Sequence, residues 1–505
     1  MGRMKIDKSS LRKSWIEDLK VNNIMKIGGA KIICFACQDG FSFKQKCEME
    51  QHIQTRKHQN SAKKFLNQSQ RQSLLIETVE APPIKTFNSD LCRAFVSALI
   101  PWNKLKNPDL EGFLQKYTGK TIPDESTLRK NYLPNIYNSA IEKIRRDVGL
   151  DPIWLQIDET TDKCGRFIAN VIIGSLRKDN PTKSHLICST QLDKTNNSTV
   201  TKCVLDALQL LWPGSKQDDI EKKFLLLITD GVEYMIKAGK NLKTLYGKLL
   251  HVTCIAHGMN RVAEDIRSHF PEVDKFVANM KAAFKKAPRR IAIYKAKYPD
   301  LPLPPSPVIT RWGTWLSAVE FYANHFDKIK DIVKDLPDDS ASVKALKTLV
   351  SSPELPRNLA FLTLNYTFLA AKLKEMQEKN SSLRQSLQYL DDIESKLFSV
   401  RGNVGKSVIE KFKSVIGKNP DLEKLKGISA VLEGNDADDH DDPTLGLNPA
   451  EIASFQFAPI TSVEAERSFS MHKFLLSDRR HGLTPENLEM ELISHFELLH
   501  DDDDN

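Results

Sequence analysis

Between Pro152 and Cys254 the pattern of apolar and polar positions alternates between strand-like runs and helical spacing. Trp154 to Asp158 is an apolar run that dissolves into small polar residues by Asp162, and Gly165 to Leu176 is rich in branched residues. Two such runs around a short polar turn predict a hairpin. His185–Leu192 predicts a third strand. Ser198–Trp212 then changes to helical period, with Val200, Val204, Leu205, Leu208 and Leu211 on one side. Phe224 to Gly231 is continuously apolar up to Thr229, the mark of a strand buried on both faces. A helix over Val232–Leu245 and a fifth strand over Leu249–Cys254 follow, giving the order β-β-β-α-β-α-β. The first and fourth runs carry Asp158 and Asp230 near their ends. Taken alone, Asp158 reads as a strand-end residue capping a turn.

The rest of the pattern is helical or polar. Leu91, Phe95, Leu99 and Ile100 recur at helical spacing until Pro101, and further helices are predicted over Pro108–Tyr117, from Pro123, and over Pro134–Val148. Residues 65–86 are rich in Gln and Ser and end in Ala81-Pro82-Pro83-Ile84, a linker signature. From Asn260 to Ile460 the chain reads almost wholly helical, with an apolar stripe at Leu359, Leu362, Leu364 and Leu369 and a long pattern from Ser381 to Val400. A last helical stretch begins at Thr461 and runs to about Leu475.

Composition narrows the class. A chain of 505 residues with 40% hydrophobic and 27% charged residues is an ordinary soluble globular protein of several domains. No apolar run approaches the ~20 residues of a membrane span, and Met1-Gly2-Arg3-Met4-Lys5 lacks the apolar core of a secretory signal. Eight dispersed cysteines are no secreted disulfide framework, so reduced thiols and a nuclear or cytosolic address are expected. The net charge of +8 is carried by residues 1–70, which hold 14 Lys/Arg against 6 Asp/Glu. The remainder is neutral as a group and includes acidic runs at Asn435–Asp442 and Asp501–Asp504. A basic module on a balanced body suits docking on phosphates, and a solvated basic tail has the same composition.

That module also carries ligand chemistry. Cys34 and Cys37 are followed by His52 and His58 in a C-x2-C…H-x5-H spacing that suits a tetrahedral Zn2+ site. Ile32-Ile33 predicts a strand, Glu48–Lys57 a helix carrying both imidazoles, and Phe41 and Phe43 a small core that the metal completes. Cys47 is the weaker ligand candidate. The ending His52-Ile53-Gln54-Thr55-Arg56-Lys57-His58 with Lys63-Lys64 resembles BED-type fingers, in which the helix and its basic tail contact DNA, so Arg56 and Lys57 are expected at DNA. The segment from Phe95 through Pro101-Trp102, Phe113-Leu114, Ile122-Pro123 and Thr127-Leu128 to Tyr132-Leu133-Pro134 is similar to the corresponding part of the CGG triplet-repeat-binding protein and its transposase relatives, although a plain helical spacer has the same periodicity.

Five further motifs occur in the order found in hAT-superfamily transposases: Asp158 with Thr160 and Thr161; Thr229-Asp230-Gly231; Cys254-Ile255-Ala256-His257; Thr310-Arg311-Trp312; and Ser462-Val463-Glu464-Ala465-Glu466-Arg467-Ser468-Phe469-Ser470. The last matches S-x-x-S-E-R-x-F-S except that Ala465 stands where the family has Ser, with Glu464 a second choice for the acid. The resemblance covers nearly the whole chain and implies an α+β multidomain protein: a ribonuclease-H-like catalytic core interrupted by an all-α insertion, with an N-terminal Cys2His2 zinc finger and a helical connector. The implied boundaries are a finger at 1–66, a linker at 67–87, a connector at 88–149, a first core part at 150–258, an insertion at 259–459, the last core part with a dimerisation region at 460–498, and an acidic tail at 499–505, expected to be disordered. It implies Asp158, Asp230 and Glu466 as a catalytic triad binding Mg2+ (or Mn2+), with paired ions ~3.5–4 Å apart activating water or a hydroxyl. Trp312 would stack at the cleavage point, with Arg311, His257 and Arg467 at the DNA. The implied activity is cut-and-paste transposition through a hairpinned flank, on double-stranded DNA (terminal inverted repeats and target), by a nuclear homodimer or higher homo-oligomer with no membrane partner.

Residue by residue, other readings stay open. Cys254 and His257 read equally as core residues, Trp312 as helix packing, and Glu466-Arg467 as an exposed charge pair. Leu483, Leu488, Met490, Leu492 and Ile493 suit a subunit interface or the chain's own core. A domesticated DNA-binding transcriptional or chromatin regulator without cleavage activity, or a ribonuclease-H-type nuclease, would share much of the pattern.

Overall fold

The computed structural model describes, with short gaps, residues 14–62, 83–308, 313–378, 381–434, 446–476 and 483–499. They form two compact units, Met1–Lys85 and Thr86–Asn505.

The first unit is an antiparallel sheet of β1 (Met25–Gly28), β2 (Lys31–Cys34) and β3 (Asp39–Phe41), followed by helix α1 (Lys46–Gln54). Its core is small: Trp15, Ile16, Met25, Ile32, Phe43 and Met49 are buried around Cys34. The continuous helix expected to carry both histidines is interrupted. Thr55 leaves the helical conformation and its hydroxyl donates to the His52 carbonyl (2.8 Å) while accepting from the His58 N–H (3.2 Å), and residues 56–62 start a second helical stretch. The spacing demands this break, because residues six apart on an unbroken helix point about 120° from one another.

In the second unit, one five-stranded sheet organises the fold. It contains β4 (Ile153–Thr161), β5 (Phe167–Ser175), β6 (His185–Leu192), β7 (Phe224–Thr229) and β8 (Leu250–Thr253) in the order β6-β5-β4-β7-β8. The first three strands are antiparallel and β4-β7-β8 are parallel, which puts the first and fourth strands side by side. All six residues of β7 are buried, as its unbroken apolar run requires. Asp158 stands inside β4 rather than at its end, opposite Asn170 of β5. The turn is capped instead by Asp162, whose carboxylate accepts from the Cys164 N–H, the Arg166 N–H and the Arg166 guanidinium.

Helices fill the remainder. Helix α2 (Pro83–Ser97) begins inside the stretch read as linker, because proline is favoured in the first turn of a helix. Helix α3 (Leu133–Val148) leads into β4, α4 (Asn197–Leu211) and α5 (Glu233–Leu245) flank β7, and α6 (Ile255–Ser268) leaves β8. Between α6 and residue 460 the described residues contain helices and no strand, among them α7 (Gly402–Gly417). In this region Leu359, Leu362 and Leu369 are buried as expected, but Leu364 is 83% exposed. It lies two residues from Leu362, which on a helix is the opposite face.

The chain returns to the sheet through α8 (Val463–Leu475) and α9 (Pro485–Leu499). Leu483, Leu488, Leu492 and Ile493 are buried in this chain's own core, so they are already covered without a partner subunit. Buried polar groups hold α9: Trp102 Nε1 donates to Glu491 (2.8 Å), His185 Nδ1 meets both Glu497 oxygens at 3.0 Å, and Glu489 accepts from the Ser189 N–H (2.9 Å). The connector and the end of the chain are thereby joined in one core. The acidic runs at 435–442 and 501–504 fall outside the described residues.

Candidate active site and metal cluster

Of three groups of ligand-type side chains among the described residues, Asp147, His185 and Glu497 belong to the polar contacts that hold α9, and the other two are built differently. In the first unit, Cys34, Cys37, His52 and His58 bring one donor atom each within 4.8 Å of one another. Both sulfurs approach His58 Nδ1, Cys34 at 3.4 Å and Cys37 at 3.3 Å, and that nitrogen lies 3.1 Å from His52 Nε2. A tetrahedron with Zn–S bonds of ~2.3 Å and Zn–N bonds of ~2.0 Å has edges of about 3.3–3.7 Å, so the donor set has the dimensions of a Cys2His2 zinc site. Cys47 is exposed and takes no part. Arg56 and Lys57 are exposed between the two histidines.

In the second unit, Asp158, His257 and Glu466 form the other group. Asp158 comes from the middle of β4, His257 from the first turn of α6, and Glu466 from the first turn of α8. His257 Nε2 lies 3.6 Å from Glu466 Oε1 and 4.0 Å from Asp158 Oδ2. Burial pushes Asp158 up to about 7; the imidazole of His257 pulls it down, and the negative charges of Asp230 and Glu466 add to the rise. At His257 burial disfavours the charged ring, yet Cys254, Glu466 and Asp158 outweigh it and hold the imidazole protonated. Cys254 is held low in turn: burial opposes its thiolate, while His257 and the Ser462 N–H, which donates to Sγ at 3.1 Å, favour it.

Asp230 follows β7, alongside β4, close enough for its charge to raise Asp158. Its carboxylate is turned to the start of α5, where Oδ1 accepts from the Val232 N–H at 2.7 Å, and it is not among the three clustered donors. Two of the three expected acids therefore share a cluster and the third stands beside it. Glu464, the second choice, points elsewhere and pairs with Arg467. Arg467, expected at DNA, is engaged by Glu464 and the Gln377 carbonyl. Arg311 and Trp312 lie outside the described residues.

Side chains that no motif marks hold this arrangement. Gln156 and Asp158 project from the same face of β4, as alternate strand residues do. With its amide suitably turned, Gln156 donates to the Thr461 carbonyl (3.2 Å) and accepts from the Ala465 N–H (2.9 Å), gripping the turn that carries Glu466. Asn170, fully buried, donates to Ser468 (2.7 Å) and accepts from Ser189 (2.7 Å). Glu159, pushed up to about 6 by burial, accepts from the Tyr234 hydroxyl at 3.0 Å. Polar residues inside strand patterns were the only available signal for Gln156 and Asn170.

Asp158 and Glu466, with Asp230 alongside, supply the carboxylate oxygens that a hard divalent cation prefers. No curated protein matches the chain. Residues 123–283, from the end of the connector through the sheet to the helix after α6, match the family described as Domain of unknown function (DUF659), a domain found in hAT-family transposase-like proteins.

Proposed function

We propose that the chain is a DNA transposase of hAT type, with β4–β8 as a ribonuclease-H-like core and Asp158, Asp230 and Glu466 as its catalytic acids. One observation carries this reading: Asp158 and Glu466, far apart in sequence, meet across His257 beside a parallel strand that Asp230 directly follows. The strand order and the match over residues 123–283 support it. Asp158, Asp230 and Glu466 would hold Mg2+ (or Mn2+), which when bound supplies Lewis-acid activation of a water or hydroxyl and of the scissile phosphate. His257 presents a protonated Nε2 between the two acids, a charge suited to a phosphate oxygen. Gln156 and Asn170 keep Glu466 from drifting away from Asp158.

In this reading the first unit is a BED-type finger that holds zinc through Cys34, Cys37, His52 and His58 and lays Arg56 and Lys57 on DNA phosphates. The connector is of the CGG-binding type. Trp312 and Arg311 meet the DNA end, and the protein acts in the nucleus as a homodimer or larger assembly on terminal inverted repeats.

The test is strand cleavage of DNA carrying the element's inverted-repeat ends in Mg2+. Wild type should leave hairpinned flanks, and Asp158→Asn and Glu466→Gln should each remove them. Tight binding by wild type without any cleavage would sink the transposase and leave a domesticated DNA-binding regulator.

A further inference from the structure

Next to Asp230 and against the first two turns of α6, the second unit contains a cavity of about 70 Å³. Its walls include Gly231 directly after Asp230, Gly258 and Arg261 on α6, Lys411 and Ser414 on α7, and Lys418 just beyond α7. Three cations thus face one small space. Arg261 donates only a long bond of 3.4 Å to the Gly231 carbonyl, and among the described residues Arg261, Lys411 and Lys418 form no ion pair. By contrast, Lys243 in the same unit is paired with Asp421 and Lys248 with Glu451. Like charges gathered without a counter-ion repel one another, and an anion between them removes the repulsion.

The shape of the cavity depends on two glycines. A Cβ at Gly231 would come within 3.1 Å of Arg261 Nη1, and one at Gly258 within 2.8 Å of Val415 Cγ1 on α7. Any side chain at Gly231 would press on the guanidinium, and any at Gly258 would collide with the Val415 side chain. About 10–15 Å³ of such space holds one water, so the cavity has room for a tetrahedral oxyanion. Its lining contains no aromatic ring, and stacking of a base needs one. A guanidinium fork with two ammonium groups is instead the donor set for a phosphate.

Resting on the function proposed above, we infer that this cavity is a subsite for a backbone phosphate of the DNA strand, next along the strand from the phosphate held at the acids. Consecutive Cα atoms are 3.8 Å apart, so a wall at Gly231 keeps the subsite within a nucleotide's reach of Asp230. Two phosphates of one strand held at once would fix the direction in which that strand crosses the site. The glycines, Arg261 and the lysines are positioning residues in this scheme.

Lysine acylation followed by mass spectrometry tests it on the full chain without Mg2+. Three probes are compared: an ordinary phosphodiester duplex, the same duplex with neutral methylphosphonate linkages, and inorganic phosphate. Lys411 and Lys418 should lose reactivity several-fold with the phosphodiester duplex only. Protection by both duplexes, by neither, or by inorganic phosphate without the duplex would overturn the assignment. The double variant Lys411→Gln/Lys418→Gln, which changes two side chains that reach solvent, should lower the slope of log affinity against log salt by roughly 0.7–0.9, one phosphate's share; an unchanged slope also overturns it. The two readings can fail separately. A wild type that cleaves in Mg2+ yet keeps both lysines reactive removes the subsite alone, and selective protection without cleavage supports the subsite and removes the enzyme.

Discussion

The Cys/His cluster of the first unit and the acid cluster of the second are both gatherings of ligand-type side chains, yet they have opposite origins. Cys34 and His58 are 24 positions apart, and the whole cluster closes over one hairpin and one broken helix. Asp158, His257 and Glu466 come from three elements separated by most of the chain, and only the packing of α6 and α8 on β4 brings them together. In the first case the ligands organise a core too small to fold by itself. In the second, a large core exists first and the acids are placed on it. Metal should therefore be a condition of folding in one unit and a cost-relieving addition in the other.

Zinc removal is the largest expected effect. Structural zinc contributes on the order of 10–16 kcal/mol in small fingers, so Cys34→Ser or a strong chelator should unfold residues 25–62 and leave the second unit's thermal transition in place. Limited proteolysis reads this directly. A first unit that stays protease-resistant in chelator would break the contrast.

Acid should act on the second unit through its buried imidazoles. Burial depresses His251 on β8 and His472 on α8 to about 4, against ~6.5 in an unfolded chain. Between those values the unfolded chain binds more protons, so stability is full above about pH 6.5 and falls as pH drops toward 4. The loss should reach up to ~3 kcal/mol for each ring. A second-unit Tm that does not move across this window would mean that these rings find partners in solution.

A smaller effect is expected at Asn170. Asn170→Ala removes the acceptor of the buried Ser189 hydroxyl and the amide that donates to Ser468, which keeps only its bond to the Ala465 carbonyl; this should cost about 1–3 kcal/mol in unfolding free energy. Cleavage should fall as well, because Glu466 sits one half-turn from Ser468. Full activity together with the lower Tm would show that Glu466 does not depend on this support.

The smallest change should come from Thr55→Val, which removes the hydroxyl that joins the two helical stretches of the first unit. A lost cap costs roughly 1 kcal/mol, so zinc affinity measured against a competing chelator should drop about fivefold, with no change in the second unit. Unaltered affinity would mean that the ligands themselves impose the break.

The two clusters were unequally legible in the primary structure. The four Cys/His residues that cluster declare themselves by spacing, since a tetrahedral site closed over a hairpin and a helix has to be local. The five strands are equally legible, because an unbroken run such as Phe224–Thr229 tolerates burial on both faces and little else. The break at Thr55 was not, since a five-residue gap between histidines does not say where the helix stops. Leu364 is exposed outside the apolar stripe, because leucine alone does not reveal which face of a helix is covered.

Local features are written in the sequence: the clustered Cys/His set and the strand and helix periods, governed by interactions between near neighbours or by alternation of side chains. What only the tertiary structure decided is contact across distance. It turned Glu466 toward His257 and Glu464 toward Arg467, set Asp230 beside the cluster rather than in it, and left three cations facing one cavity. The physical reason is that a side chain's charge state and partners depend on burial and on groups from other elements, and neither is written in the residues next to it.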